Sequence, residues 1–304
     1  MIRRREPMKR AMTFLAAALA WVAVAPTSAE EVAMYGGSPS RNMVSSETGL
    51  PGNWDVDTGL NVLWRQPAGS QSYAGPVVAG GRVFIGTNNE GQRDPAIQGD
   101  KGVIMAFAAK DGEFLWQSVH DKLPDGRVHD WPLQGVCSTP TVDGDRLYYV
   151  SNRAEIVCAD TEGFRDGEND GPVTDETPAT EISEDVLWRL DMIGELDVFP
   201  HNLAAGNPLV IGDLLYTVTG NGVDEGHVNI PSPLAPSFLA VDKTSGEVVW
   251  ESDAPGLHIL HGQWSNPAYG EAGGRAQVVF PGGDGWLYPF DPQSGEPIWK
   301  FDCN

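Results

Sequence analysis

Three histidines recur at comparable places along this chain and could do chemistry together. His129, His201 and His261 each precede a proline that opens an apolar segment, at offsets of eleven, seven and six residues. Imidazole binds transition metals and exchanges protons near neutral pH. The sequence predicts either a ligand- or metal-binding cluster or histidines that each hydrogen-bond a neighbouring loop, and the unequal offsets favour the second. The candidate residues, with their polar and aromatic neighbours, are His129, Trp131, His201, Asn202, His261 and Trp264.

A second candidate site is an acidic insert. Asp166, Glu168 and Asp170 stand at alternate positions and Gly171 follows, which resembles the first half of a calcium loop. The pattern departs from such a loop because its third position is Glu and its twelfth is Thr177, with Glu176 one residue early. The insert is therefore either a structural Ca²⁺ site or a solvated acidic loop.

A third candidate lies in a long insert over residues 222–237. Residues 222–227 contain two carboxylates and one imidazole, on Asp224, Glu225 and His227. This segment could form a metal site or a site for a polar ligand.

The elements that position these residues form a repeat. An Asp, a Ser-Gly-Glu or Asp-Gly-Glu turn and a Trp recur, most plainly in residues 239–250 and 288–299. Upstream of each copy, apolar runs flank a Gly-rich or Asp-Gly turn, which is typical of a β-hairpin. Each unit then reads as four antiparallel strands, A to D, with strand D ending on its Trp. These tryptophans, predicted to fill the space between adjacent units, are Trp64, Trp116, Trp188, Trp250 and Trp299.

This period predicts an all-β fold, a β-propeller of four-stranded antiparallel blades. Four blades fit, and the chain stops just past a Trp, so we expect the front half of an eight-bladed propeller. A four-bladed ring or the association of two halves remains open. The predicted organisation is a signal peptide over residues 1–29, a lead-in segment over residues 30–59, and repeats over residues 60–304 that begin with a strand ending at Trp64.

The repeat resembles the tryptophan-docking repeat of the pyrroloquinoline quinone (PQQ)-like propeller superfamily. That superfamily includes quinoprotein alcohol dehydrogenases and an outer-membrane assembly lipoprotein. The resemblance implies the propeller fold. For a dehydrogenase of this superfamily it also implies a PQQ cofactor that lies above a Ca²⁺ ion and packs against two adjacent cysteines. This chain has three separate cysteines, Cys137, Cys158 and Cys303, and no adjacent pair.

Bulk properties restrict location and partners. The chain begins with basic residues, followed by an apolar run of about fifteen residues and then by Ala29. This order predicts a signal peptide that is cut after Ala29, and therefore an exported protein. No cysteine stands directly after the predicted cleavage site, so a lipoprotein is not expected, and no later segment is predicted to span a membrane. The net charge of −22 argues against nucleic acid partners.

Two functions follow as hypotheses. The first is a non-enzymatic binding or scaffold propeller that recognises a protein or a polysaccharide through its loop face. The second is a PQQ- and Ca²⁺-dependent quinoprotein dehydrogenase that oxidises alcohols or sugars. No catalytic residue is assigned under either hypothesis.

Overall fold

The structure is a computed structural model that describes residues 31–176 and 180–304. The predicted signal peptide and Thr177 lie outside the described residues. Within them, the strands form four antiparallel sheets of four strands each, and each sheet takes its strands in chain order. The predicted four-stranded blades are confirmed.

The strands of the first two blades are joined by turns and by two longer inserts, over residues 89–100 and 161–185. They are β1 (Val77–Ala79), β2 (Arg82–Asn88), β3 (Lys101–Ala108) and β4 (Phe114–Asp121) in blade 1, and β5 (Thr141–Asp143), β6 (Arg146–Val150), β7 (Glu155–Asp160) and β8 (Val186–Asp191) in blade 2. The turn between β1 and β2 shows why the sequence folds this way. Gly80 and Gly81 both have positive φ, 56° and 73°, as a two-residue hairpin of the observed register requires.

Blades 3 and 4 repeat this arrangement. Their strands are β9 (Leu209–Ile211), β10 (Leu214–Val218), β11 (Phe238–Asp242), β12 (Val248–Ser252), β13 (Ala268–Ala272), β14 (Arg275–Pro281), β15 (Trp286–Phe290) and β16 (Phe301–Asp302). Within residues 31–176 and 180–304, helical structure is limited to α1 (Met192–Leu196) and the single 3-10 turns Asn89–Gly91, Gly126–Val128, Gly163–Arg165 and Gly256–His258. None of these helices, in the described part of the chain, has the length and apolar composition needed to cross a membrane.

The topology places one set of loops at one end of all blades. Neighbouring strands are antiparallel, so each D-to-A connection and each B-to-C turn falls at the same end of its blade. We call this end the loop face. The first strands of successive blades contact one another, β1 with β5 and β5 with β9, so these strands lie innermost. The loop face therefore gathers connections from different blades around a shared centre.

The lead-in segment crosses the inner strands of all four blades. Val32 pairs with Val78, the carbonyl of Ala33 accepts a hydrogen bond from Val142 N, and the carbonyl of Pro39 accepts one from Tyr269 N. Arg41 completes the crossing, because its guanidinium donates to the carbonyls of Pro208 (2.9 Å) and Pro267 (3.1 Å), among others. This segment links the blades along their inner edge.

The repeated tryptophans join each blade to the next. The indole nitrogens of Trp64, Trp116, Trp188 and Trp250 donate to carbonyls in the next C-to-D turn, on Ala109, Thr161, Lys243 and Pro292 respectively, at 2.8–3.1 Å. Each ring covers a turn glycine: a Cβ at Gly246 would lie 2.5 Å from Trp188, and one at Gly295 would lie 2.7 Å from Trp250. Trp299 differs, since its indole donates to Gln277 of its own blade and the residue is 44% exposed.

Strand D does not end on its Trp as the repeat predicted. Strands β4, β8 and β12 each continue past the Trp, and the ladder to strand C shifts by one residue just before it. Such a bulge bends the strand and re-aims the following side chain, here Trp116, Trp188 or Trp250. The predicted lead-in strand ending at Trp64 is also wrong, because residues 61–76 form no strand.

A buried polar network lies between blades 1 and 2. Glu184 accepts hydrogen bonds from Ser118 Oγ and Tyr149 OH, both at 2.6 Å, so both hydroxyl protons are committed to its carboxylate. His120 Nε2 lies 2.9 Å from the same two hydroxyl oxygens and must therefore donate to them. Burial lowers the pKa of His120 to about 3, so it stays neutral in the folded state.

His120 should make the protein lose stability in mild acid. The unfolded chain takes up a proton near the ordinary histidine pKa of 6.5, whereas the folded chain resists it, so the free energy of unfolding falls as the pH drops below 6.5. The loss from this residue approaches about 1.4 kcal/mol per pH unit. Urea unfolding between pH 7 and pH 4.5 should show a shallower decline in His120→Gln than in the wild type. The exposed His258→Gln should keep the wild-type slope, and a His120→Gln slope equal to it would contradict the prediction.

Candidate metal centre

Three histidines from three different loops meet on the loop face. His201 lies in the connection from blade 2 to blade 3, His227 in the B-to-C insert of blade 3, and His261 in the connection from blade 3 to blade 4. Their Nε2 atoms lie 3.1 Å apart for His201 and His227, 3.0 Å for His227 and His261, and 2.8 Å for His261 and His201. We call these residues the three-histidine cluster.

Proton counting favours a shared cation at the cluster. The Nδ1 atom of His201 lies 2.7 Å from the carbonyl of Val223, which can only accept, so Nδ1 carries the proton. In neutral His201 the Nε2 atom is then unprotonated, and its lone pair points toward the Nε2 atoms of the other two imidazoles. Hydrogen bonds cannot satisfy all three sides of this triangle, whereas one shared cation can.

The cluster is suited to metal rather than to proton binding. Burial lowers the pKa of His201, and the neighbouring imidazoles of His261 and His227 lower it further. Burial and the imidazole of His227 also lower the pKa of His261. Neutral imidazoles are the form that ligates metals, and a ligating histidine commonly donates its other ring nitrogen to a carbonyl, as His201 does.

Local backbone geometry brings the three loops together. Gly222 allows the closest approach, because a Cβ there would lie 2.4 Å from the carbonyl oxygen of His261 and 2.6 Å from His201 Cβ. Val223 N donates to the carbonyl of His261 at 2.9 Å. The loop then turns on Asp224, whose carboxylate accepts from Val228 N and from Asn229 Nδ2. This turn leaves His227 in the left-handed region with φ of 56°, a costly conformation typical of functional sites.

The other predicted mouth residues surround this cluster without joining it. His129 Nδ1 lies 2.7 Å from the carbonyl of Pro200, and its ring packs edge-on against Phe199. Trp131 N donates to the carbonyl of Asn202, and the guanidinium of Arg127 lies over the Trp131 ring. These contacts match the interpretation in which each residue binds a neighbouring loop.

Trp264 forms one wall of the cluster. Its ring centre lies 4.9 Å from that of His261 and 6.2 Å from that of His201. Its indole donates to the carbonyl of Leu203 at 3.2 Å. Gly262 makes room for this ring, since a Cβ at that position would lie 2.7 Å from it.

The sequence indicates all three histidines of the cluster as candidates, but it does not indicate that they meet. The sequence pattern groups His201 with His261 and His129, whereas in the structure the third position belongs to His227 of the insert over residues 222–237. The sequence signal that points to His227 is its position in an insert on the loop face. The distance between His227 and the other two imidazoles depends on the turn at Asp224, which sequence spacing does not reveal.

The acidic insert brings its three carboxylates together at the surface. One oxygen from each of Asp166, Glu168 and Asp170 lies within 4.8 Å of the others. Glu176 does not join them, because its Oε1 accepts a hydrogen bond from Val186 N. The proposed Ca²⁺ site therefore has three exposed or half-buried ligands from the protein.

If this insert binds Ca²⁺, the ion should raise the melting temperature. Loops of extracellular proteins bind Ca²⁺ with a Kd of roughly 10⁻⁴–10⁻³ M, so about 10 mM Ca²⁺ should stabilise the fold by roughly 1.4–2.7 kcal/mol. The Asp166→Asn variant should lose this response, and Mg²⁺ should not reproduce it. An equal Ca²⁺ effect in Asp166→Asn and the wild type would place the ion elsewhere, and no effect in the wild type would reject the site.

Comparisons with known proteins identify the family. The family model described as "Outer membrane protein assembly factor BamB" matches residues 19–129 and 100–303. Among curated proteins, none matches this sequence significantly.

Solved structures resemble this chain at low identity. A europium-containing methanol dehydrogenase aligns with a TM-score of 0.50 and 12% identity, covering 90% of this chain and 49% of that one. The quinohemoprotein alcohol dehydrogenase ADHIIG from Pseudomonas putida HK5 has a TM-score of 0.49 and 14% identity, covering 90% and 48%. BamB from Moraxella catarrhalis has a TM-score of 0.40 and 14% identity, covering 75% and 48%. The chain thus spans about half the length of these structures. By its family match it belongs to the outer membrane protein assembly factor BamB family, within the PQQ-like β-propeller superfamily.

Proposed function

We propose that this chain is an exported, non-enzymatic binding propeller whose loop face holds a transition-metal ion on His201, His227 and His261. The observation that carries the proposal is the convergence of three imidazole Nε2 atoms at 2.8–3.1 Å. Export rests on the predicted signal peptide. The partner recognised through the loop face is a protein or a polysaccharide, since the acidic chain repels nucleic acid.

The dimensions of the cluster fit Zn²⁺ or a metal of similar size. Three nitrogens at about 2.0–2.1 Å from one Zn²⁺ ion lie roughly 3.3–3.4 Å apart in a tetrahedral site. The observed separations of 2.8–3.1 Å are shorter by a few tenths of an ångström. His227 and His261 are exposed, so their side chains have room for this small expansion.

Zn²⁺ titration calorimetry of residues 30–304 at pH 7 tests the proposal. We expect one ion per chain, bound at micromolar concentration or tighter, and a large loss of affinity in His261→Ala. The matched control is His258→Ala, an exposed histidine close in sequence but outside the cluster. The proposal is rejected if the wild type binds no Zn²⁺ or if His261→Ala and His258→Ala bind it equally.

Two features of this chain argue against the dehydrogenase alternative. The sequence has no adjacent cysteine pair, and the lead-in segment occupies the inner edge of the blades through Val32 and Arg41. The residues present do not fit PQQ. Absorbance titration with PQQ, with and without Ca²⁺, tests this alternative. Saturable, Ca²⁺-dependent binding would restore it.

A further inference from the structure

The three-histidine cluster supplies an incomplete set of metal ligands. Among the described residues, no other His, Cys, Asp or Glu places a ligand atom within the same 4.8 Å group as these three. Three protein ligands with a free fourth position are typical of metal sites that exchange a ligand, whereas structural zinc sites use four. His201 is buried while His227 and His261 are exposed, so the free position faces solvent.

The charge around this position favours an anion. Three neutral imidazoles leave the charge of a divalent ion uncompensated. Asp224, the acid whose charge acts on His201, has its carboxylate engaged by Val228 N at 2.9 Å and by Asn229 Nδ2 at 2.6 Å. On a chain of net charge −22, the bound ion would be a local positive centre.

The Trp264 ring beside the free coordination position favours an anion that carries an apolar group. The Trp264 ring stands 4.9 Å from the His261 ring, and its only hydrogen bond to the described chain leaves through Nε1 to Leu203. Trp264 is partly exposed, so part of its ring is accessible to a ligand, and aromatic groups pack favourably against an indole.

We propose that the metal on the three-histidine cluster takes a carboxylate ligand whose planar or aromatic body packs against Trp264. The inference rests on the proposed function, since it requires the metal. Benzoate is the simplest probe of this class, and acetate is its control because it has the same donor without the ring.

Co²⁺ absorbance spectroscopy tests the inference, because Zn²⁺ has no visible d–d bands. Co²⁺-loaded protein titrated with benzoate should show a saturable change in these bands. Acetate should produce the same change with an affinity roughly two- to tenfold lower, the range that one aromatic contact supplies. In Trp264→Leu, benzoate and acetate should bind equally while Co²⁺ remains bound.

The outcomes separate this inference from the proposed function. Absence of Co²⁺ binding would contradict the proposed function itself. Bound Co²⁺ with bands that neither anion alters would show that the fourth position is closed, which overturns the inference alone. Equal affinity for the two anions in the wild type would overturn the role of Trp264, and this comparison needs no variant.

Discussion

Replacing Trp250 by alanine should lower the free energy of unfolding by about 3–5 kcal/mol, the range for deleting a large buried ring. Trp250 is 8% exposed, and its ring packs against Tyr216, Phe280 and Phe290 with centroid distances of 5.4–6.1 Å. Its indole also donates to Pro292 at 2.8 Å across the boundary between blades 3 and 4. The alanine variant therefore loses packing in both blades and removes one of two donors to the buried Pro292 carbonyl, which keeps the Tyr216 hydroxyl at 3.1 Å.

Urea unfolding followed by far-UV circular dichroism would measure the change. Trp250→Phe keeps a ring and loses the hydrogen bond, so it should cost less, with about 1 kcal/mol from the lost bond. Trp299→Ala should also cost less, because Trp299 is 44% exposed and bonds within its own blade. Equal losses in Trp250→Ala and Trp299→Ala would contradict a special role for tryptophans between blades.

The blades could be predicted from sequence because each repeat carries local signals for its own turns. Gly80, Gly81 and the turn glycine Gly246 have positive φ in the structure, as their turn positions require. The repeat also marked the docking tryptophans. It did not reveal that a bulge precedes Trp250, because a bulge depends on how strands C and D pair rather than on either strand alone.

The candidate site was predicted only in part because its geometry is set between blades. His201 and His261 fall at related places in successive connections, which sequence alignment detects. His227 reaches them through an insert present in one blade, folded by Asp224 and held near Gly222. Nothing in the spacing of 26 residues from His201, or of 34 residues to His261, specifies that contact.

The contacts of the lead-in segment could not be predicted from its sequence either. Residues 30–59 carry no repeat signal, yet Val32 and Arg41 contact the inner strands of the blades. Arg41 has carbonyl rather than carboxylate partners in the hydrogen bonds it makes with the described chain. Burial lowers its pKa to about 10. A lone arginine in a polar segment gives no sequence signal for such a position.

His227→Gly should reduce Zn²⁺ affinity by roughly a hundredfold or more without weakening the fold. Loss of a residue that only supports a ligand costs about 10–100-fold in affinity, and His227 is itself a proposed ligand. Glycine suits its φ of 56° better than histidine does, and the exposed imidazole contributes little packing. The metal-free variant should therefore melt at or slightly above the wild-type temperature.

Thermal melting with and without Zn²⁺ separates these two effects. The wild type should gain stability from Zn²⁺ by mass action, and His227→Gly should lose most of that gain at the same metal concentration. His258→Ala should respond as the wild type does, because His258 lies outside the cluster. If His227→Gly retains the full Zn²⁺ response, then His227 is not a ligand. A lower melting temperature in the metal-free variant would instead mean that the His227 side chain stabilises the loop face itself.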